Sequence, residues 1–259
     1  MLGFLASCSL LREPAPGNAR RVAGAGEAEG VLRKSVATMG DAWHRYDTVT
    51  VGYEGKWKWL AKKVQPTLTD PKFRKSSVEK YDISREMVLQ EHRGPSGDKR
   101  VVRNRKGVEV RYLDALSTDP DSKAAAALVA DAYTAFLFGP SWLLENGRDL
   151  EQVGSRKVDG ERCDGVQGRL TPGFGFSNED RFVAWVGQES GLLRRLQFTL
   201  EGLESTRGAD VDVTFKDHWT ARDGSRWPSL FVERVRRPIP IKAHVWRMTS
   251  LKVDGTKFR

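Results

Sequence analysis

The sequence predicts a mainly β protein of the α+β class, in which a single curved antiparallel sheet of about eleven strands forms an incomplete β-barrel. Three observations carry this prediction. Apolar and polar residues alternate through most of the chain after residue 48, as they do in strands with one buried face. Asp-Gly and Ser-Gly pairs separate these runs at regular intervals, as in hairpin turns. No strand–helix–strand repeat occurs, so consecutive strands are expected to pair in a meander.

An N-terminal helix precedes the first strand. Leu32, Val36, Met39 and Trp43 follow one another at spacings of 4, 3 and 4 residues, which places them on one face of an amphipathic helix of about four turns. This apolar face predicts a helix that packs on the sheet.

The first strand is read from the run TVTVGYEGKWKWLA. Val49, Val51, Tyr53, Trp57 and Trp59 share one parity, and polar residues occupy most of the other. The run therefore predicts one long, half-buried strand that includes both tryptophans. Similar alternation in KFRKSSVEKYDI, EMVLQEH, KRVVRNR and VEVRYLD predicts the next strands.

A helix interrupts the strands in the middle of the chain. Asp119 is suited to the N-cap, Pro120 to the first helical position, and the pair Gly139-Pro140 to the end of the helix. Apolar pairs recur between them at a spacing of four residues, which gives a wide apolar stripe. Because the concave face of a curved sheet cannot stay open to water, this helix is expected to form a lid over it. Strands resume in four further runs, with turns at Asp159-Gly160, Ser190-Gly191, Asp223-Gly224 and Asp254-Gly255.

The N-terminus predicts a lipid anchor. Leu5-Ala6-Ser7-Cys8 matches the lipobox pattern, so residues 1–8 are interpreted as a signal-peptide remnant with lipidation at Cys8. Residues 1–7 lack the basic residue and the length of a full signal sequence, and we expect that the leader starts upstream. Residues 9–30 are rich in Pro, Gly, Ala and charge and are expected to be a flexible tether, with one folded domain over 31–259.

Composition limits the classes of function. The net charge is +9, but the basic residues are spread along the chain without a nucleic-acid-binding motif, so no nucleic-acid partner is expected. The sequence shows no run near the roughly 20 apolar residues that span a bilayer, so membrane association should come from the N-terminus or the surface. Processing at Cys8 would leave Cys163 alone; otherwise a bridge between these two cysteines stays open. Neither lies in a zinc-binding spacing.

No catalytic motif is present. None of His44, His92, His218 and His244 lies in a recognisable metal-binding pattern. The loop TPGFGFS lacks the Lys and Ser or Thr of a phosphate loop, and its phenylalanines are expected to pack over the sheet or touch a ligand. We therefore expect neither an enzyme nor a metal or cofactor site.

The order of elements resembles the LolA/LolB-like lipoprotein-localisation superfamily, and more specifically the bacterial proteins described as outer-membrane lipoprotein-sorting-like. The recurring pattern lies in VGSRKVDGERCDGVQGRLTPGFGFSNEDRFVAWVGQESGLLRRLQFTL. The resemblance implies an unclosed β-barrel whose hydrophobic concavity, covered by helices, holds acyl chains or another apolar ligand. One departure is that the turn aligned with the protruding loop of the acceptor type, Arg93–Lys99, has no apolar residue at its tip.

These observations lead to a functional expectation. The chain is expected to be a lipid-anchored protein of the bacterial envelope, at the outer membrane and facing the periplasm, that binds a lipid, an acyl chain or a lipoprotein. The alternative is an envelope scaffold whose barrel is filled and holds no ligand. The residues expected to line the cavity are Val49, Val51, Tyr53, Trp57, Met87 and Leu89 on strands, with Tyr133, Phe136 and Leu137 closing it.

Overall fold

A computed structural model describes residues 15–238 and 240–257. Its strands are β1 Arg21–Ala23, β2 Thr48–Trp57, β3 Ser76–Asp82, β4 Met87–Gly94, β5 Gly97–Asn104, β6 Gly107–Tyr112, β7 Ala115–Leu116, β8 Gly147–Val158, β9 Glu161–Leu170, β10 Asp180–Gly187, β11 Leu193–Leu200, β12 Ala209–Thr220, β13 Arg226–Arg237, β14 Ile241–Val253 and β15 Thr256–Lys257. Its helices are α1 Ala25–Met39, α2 Ala42–Arg45, α3 Trp59–Val64, α4 Pro66–Thr69, α5 Pro120–Asn146 and a 3₁₀ turn over Glu204–Thr206.

The strands form one antiparallel sheet, as predicted. The sheet runs in the order β1-β8-β9-β10-β11-β12-β13-β14-β2-β3-β4-β5-β6-β7, with β15 paired to β14. Two consecutive meanders, β2–β7 and β8–β14, are joined where β14 pairs with β2. Within the described residues the two edge strands, β1 and β7, do not pair with each other, so the barrel is open. The described part of the sheet has more than the expected eleven strands, partly because β1, β7 and β15 are too short to show alternation.

The position of α5 follows from this topology. It connects β7, at one edge of the sheet, to β8, next to the other edge, so the helix has to cross the concave face. Its 27 residues span about 40 Å at the usual helical rise. As predicted, Asp119 caps it, and its carboxylate accepts a hydrogen bond of 2.9 Å from the Ser122 backbone N–H.

By length and composition α5 could cross a membrane, contrary to the expectation that no run in the sequence is apolar enough. Most of the helix is buried within the protein, however, and it is the core helix of this fold. Among the described residues it is the one helix with these properties.

The expected end of this helix at Gly139-Pro140 is a kink instead. Gly139 has φ 49° and ψ −120°, outside the helical region, and Pro140 has no N–H to donate. Helical structure resumes after the kink and continues to Asn146.

The chain is also ordered earlier than expected. β1 pairs with β8, and α1 begins at Ala25, so both lie within the segment predicted to be a tether. Ala28 and Leu32 of α1 are fully buried. Gly40, at φ 96°, ends the helix, so Trp43 lies on the separate helix α2. Cys8 and the lipobox lie outside the described residues, and lipidation stays a prediction.

The core fills the space between the concave face of the sheet and helices α1 and α5. Aromatic rings dominate its centre. Tyr53 of β2 stacks on Tyr133 of α5 and on Trp246 of β14, with ring centroids 6.3 and 6.1 Å apart. Phe136 contacts Phe231 at 6.0 Å. The middle of the barrel is therefore packed, and the open space lies towards its ends.

Candidate functional site

An apolar cavity of about 360 Å³ opens at one end of the barrel, between helices α3 and α4 and the strands β11 to β14. We call it the α3 pocket. Its lining is mostly aliphatic or aromatic, with a few polar residues at the rim. The lining residues are Trp57, Leu60, Ala61, Val64, Gln65, Leu68, Thr69, Leu200, Ser205, Thr206, Arg207, Ala209, Val211, Glu233, Val235, Pro238, Ile241 and Ala243.

The chain builds this pocket where it leaves the sheet. β2 ends at Trp57, and the next backbone N–H, of Lys58, still donates to the Ala243 carbonyl at 2.8 Å. The chain then turns into α3, and its residue Ala61 is buried against the pocket. The predicted continuation of the strand to Trp59 is wrong: Trp59 is the first residue of α3, and its side chain is 64% exposed. Alternation of period two cannot distinguish a strand that continues from a strand that passes into a helix.

A second contact holds the wall of the pocket in place. Gln65, between α3 and α4, accepts a hydrogen bond of 3.0 Å at Oε1 from the hydroxyl of Ser205, in the 3₁₀ turn. The Gln65 side-chain amide also donates to the Ser205 carbonyl. Helix α3 and the 204–206 turn are thereby joined across the pocket.

A second, smaller void lies next to the pocket, on the side of α5. This void, of about 20 Å³, shares Trp57, Leu68, Leu200 and Glu233 with the α3 pocket. It is also lined by Tyr133 and Phe136 of α5. The open space therefore points from the barrel end into the aromatic core.

A buried cation lies at this inner end. The side chain of Arg74, which lines the void, is almost fully buried. It donates to the Leu68 carbonyl at 2.8 Å and to the Tyr133 hydroxyl at 3.3 Å. The guanidinium carbon also lies 5.2 Å from the centre of the Trp57 ring, within the range of a cation–π interaction. The apolar pocket thus ends near a positive charge that is already held by the protein.

His244 and Glu233 complete the polar inner end. His244 Nδ1 lies 3.4 Å from the Tyr133 hydroxyl oxygen and 3.6 Å from Glu233 Oε2. Burial lowers the pKa of His244, so its imidazole is neutral near pH 7. The site offers a long apolar surface with a few polar groups at one end, which suits non-covalent binding of an amphiphile.

The predicted cavity residues divide into two groups. Trp57 lines the α3 pocket, and Tyr133 and Phe136 reach its inner void. The other concave-facing residues, Val49, Val51, Tyr53 and Leu137, are buried in the packed core and line neither space.

Met87 and Leu89 do not face the concave side with the others. On β4, the residues Val88, Gln90 and His92 are buried, and the alternate residues belong to the opposite face. The expectation was wrong because two of the three inward positions of β4, Gln90 and His92, carry polar side chains. Gln90 and His92 lie beside Lys99 in a narrow space against α5, whereas Met87 and Leu89 belong to the opposite face of β4.

Met87 instead lines a second cavity, of about 560 Å³, at another site on the protein. This cavity is more polar, and ion pairs occupy part of its wall. Arg103 donates to both carboxylate oxygens of Asp131, at 3.0 and 2.9 Å. A wall of paired charges is less suited to an apolar ligand than the α3 pocket.

Most residues of the α3 pocket were not predicted from the sequence. Leu60 was assigned to the end of a strand and Val64 to no element, although their spacing of four residues is the helical signal that could have identified them. The contributions of β12 to β14 could not be foreseen, because they depend on how far the sheet curls. Across the described residues, no group of three or more His, Cys, Asp or Glu side chains is arranged to hold a metal ion.

Comparison with known proteins supports the fold. No family model matches the chain, and no curated protein sequence matches it significantly. Among solved structures, it is similar to a DUF1329 family protein from Desulfovibrio piger, with a TM-score of 0.53 and 16% identity over 90% of this chain and 94% of that one. It is also similar to a LolA superfamily protein from Nitrosomonas europaea, with a TM-score of 0.51 and 10% identity over 87% and 92% of the two chains. The predicted resemblance to the LolA-like fold is confirmed at the level of fold.

Proposed function

We propose that this chain is a protein of the bacterial envelope that binds an apolar ligand non-covalently in the α3 pocket. The ligand class is an acyl chain, carried by a lipid or by a lipoprotein. The observation that carries the proposal is the apolar cavity of about 360 Å³, with a small void beside it towards α5. Ligand sites have volumes of about 300–1,000 Å³, so the cavity is large enough for part of an acyl chain.

The side chains that line the pocket also support this function. Trp57, Leu200 and Val211 offer aromatic and aliphatic surface, and polar groups are concentrated at the inner end and the rim. An acyl chain gains about 0.8 kcal/mol for each methylene group that it buries, so affinity should rise with the length of chain that enters the pocket. The mechanism is passive, and the chain is not an enzyme in this proposal.

One observation favours a narrower role. The centre of the barrel is filled by the rings of Tyr53, Tyr133 and Phe136, so the whole concavity is not available to a ligand. An envelope scaffold without a ligand is therefore the second candidate. The two functions differ in whether the α3 pocket is occupied in the native protein.

The proposal includes the anchor predicted from the sequence. A lipid on Cys8 would hold the folded domain at the membrane, with the outer membrane and its periplasmic face as the proposed location. The resemblance of the sequence to lipoprotein-localisation proteins supports a location in the envelope.

The test compares binding of a fluorescent palmitate analogue to the wild type and to Ala61→Phe. Ala61 is buried against the pocket, so a phenyl ring at this position fills part of the cavity. We expect binding to weaken at least about tenfold, since several methylene contacts are lost. The matched control is Ala115→Phe, which adds the same side chain at the exposed strand β7.

Unlabelled fatty acid and lysophospholipid should compete with the probe, and mass spectrometry should recover them unchanged. Wild-type protein that binds no probe, or an Ala61→Phe variant that folds and binds like the wild type, would contradict the proposal. Native mass spectrometry of protein from its own membrane decides the scaffold alternative, because a scaffold carries no bound lipid other than the one on Cys8.

A further inference from the structure

Helix α3 presents apolar side chains to solvent at the mouth of the pocket. Trp59, Leu60 and Val64 are 64%, 40% and 53% exposed. They are three of the eight large hydrophobic side chains that stand out as exposed among the described residues, and all three belong to a helix of six residues. Such clustering marks an interaction surface, since single exposed apolar residues are common but groups of them are not.

Lysines surround this apolar group. Lys56, Lys58, Lys62 and Lys63 are all exposed, and no acidic residue occurs from position 55 to position 65. None of the four lysines forms an ion pair with a described residue, in contrast to many arginines of this protein. Lys63 Nζ lies 4.8 Å from the centre of the Trp59 ring, so charge and aromatic surface are directly adjacent. We call residues 56–64 the α3 surface.

The combination selects one kind of partner. A tryptophan with neighbouring aliphatic residues inserts into the boundary between headgroups and acyl chains. The lysines beside it are attracted to anionic headgroups, and each lysine adds to the binding free energy. An acidic protein would complement the lysines but would not by itself account for the exposed indole at their centre. We propose that the α3 surface docks on an anionic lipid bilayer.

This docking would bring the α3 pocket to the membrane. Leu60 and Val64 both line the pocket and face solvent, so the bilayer would cover the mouth. An acyl chain could then pass between the membrane and the pocket without crossing water. This last step rests on the proposed function, whereas the docking itself does not require a ligand.

The experiment measures binding of the full chain to lipid vesicles by flotation. Cys8→Ser is present in every sample, so that no acyl anchor contributes. The vesicles contain phosphatidylglycerol and phosphatidylcholine in equal amounts, or phosphatidylcholine alone. We expect binding to the anionic vesicles to be clearly stronger and to fall as salt is added.

Two variants separate charge from apolar insertion. Lys62→Glu with Lys63→Glu should weaken binding to the anionic vesicles at least about tenfold. Trp59→Ser removes the indole without changing a residue that lines the pocket, and it should weaken binding several-fold. The matched controls are Lys80→Glu with Lys106→Glu, two exposed lysines elsewhere, and Leu113→Ser, at a leucine that is 63% exposed. Both controls should bind like the parent protein.

The proposal is overturned if the parent protein does not bind anionic vesicles, or if either α3 variant binds as the parent does. It is also overturned if the control variants lose as much binding as the α3 variants, because net charge or general surface hydrophobicity would then be sufficient. Binding of fluorescent palmitate in solution is measured in parallel. Loss of vesicle binding with intact palmitate binding in the α3 variants separates the docking surface from the ligand pocket.

Discussion

The imidazole of His244 lies flat against the indole of Trp57, with ring centroids 3.8 Å apart and ring planes 2° from parallel. Trp57 therefore has one apolar and one polar environment. It lines the apolar α3 pocket, and it also contacts the buried polar group formed by His244, Arg74 and Glu233. The indole therefore lies between the apolar α3 pocket and these buried polar side chains.

Replacing Trp57 should therefore affect stability as well as the pocket. Trp57→Ala removes the stacking on His244 and the cation–π contact with Arg74, and we expect the free energy of unfolding to fall by about 3 kcal/mol. Trp57→Phe retains a ring and should cost about 1 kcal/mol. Urea denaturation followed by circular dichroism measures both values. Equal losses for the two variants would show that the aromatic ring contributes nothing at this position.

The ion pair of Arg103 and Asp131 should also stabilise the fold. Asp131 lies on α5, and it accepts a hydrogen bond of 2.8 Å from the Gly175 backbone N–H as well as two from Arg103. Asp131→Ala leaves the guanidinium and this N–H without the carboxylate, so we expect a loss of about 2 kcal/mol or more in the free energy of unfolding.

The control for this prediction is Glu109→Ala, which removes the carboxylate of the exposed pair that Glu109 forms with Arg111. That variant should change stability little, because exposed pairs are screened by water. If Glu109→Ala lost as much stability as Asp131→Ala, the pair of Arg103 and Asp131 would not stabilise the fold more than an exposed pair does.

The pKa values of two histidines should be shifted in opposite directions from the ordinary value. The hydrogen bond to Asp41 is the main cause that raises the pKa of His44, and Glu145 adds to it. Burial lowers the pKa of His218 to about 4, from an ordinary value of 6.5. Proton NMR of the imidazole resonances measures both values, and His44→Gln and His218→Gln assign the signals. A His218 resonance that titrates above the ordinary value would contradict the buried position.

The two pKa shifts should change the stability of the fold in different pH ranges. His44 binds its proton more tightly in the folded state, so its contribution is present below pH 6.5 and is lost as the pH rises through its folded pKa. His218 is protonated more easily when unfolded, so stability decreases as the pH falls from 6.5 towards about 4. His218→Gln should therefore flatten the acid side of the stability curve, and His44→Gln should not.

Cys163 should be unreactive while the protein is folded. Its side chain is buried beside Val158 and Trp185, and burial raises the pKa of the thiol to about 11. In a Cys8→Ser background, we expect an aromatic disulfide reagent to modify Cys163 only after denaturant is added. Rapid modification of the native protein would show that this part of the sheet opens readily.

Local patterns predicted the sheet and the main helix well. Alternation and Asp-Gly turns identified most strands, because each strand buries one face and each turn needs particular residues. The cap at Asp119 was also correct, since a side-chain acceptor for the first helical N–H groups is a local requirement.

The candidate site was harder to predict, for two physical reasons. On β4, hydrophobicity indicated the face of Leu89, but Gln90 and His92 are the inward side chains. At α3, the strand pattern was extended to Trp59, although the chain had already left the sheet. The first error concerns which way a side chain faces and the second where a strand ends, and both depend on contacts with distant parts of the chain.

The pairing of β14 with β2 has a consequence for how the chain acquires its structure. Val253 lies opposite Val49, about 200 residues away in sequence, so this junction is among the most non-local contacts of the fold. During synthesis β2 cannot pair with β14 until nearly the whole chain has been made. Until then the edge of β2 and the apolar face of α5 lack their final partners. We therefore expect assembly to be slow, with the edge of β2 and the apolar face of α5 exposed until β14 has been made.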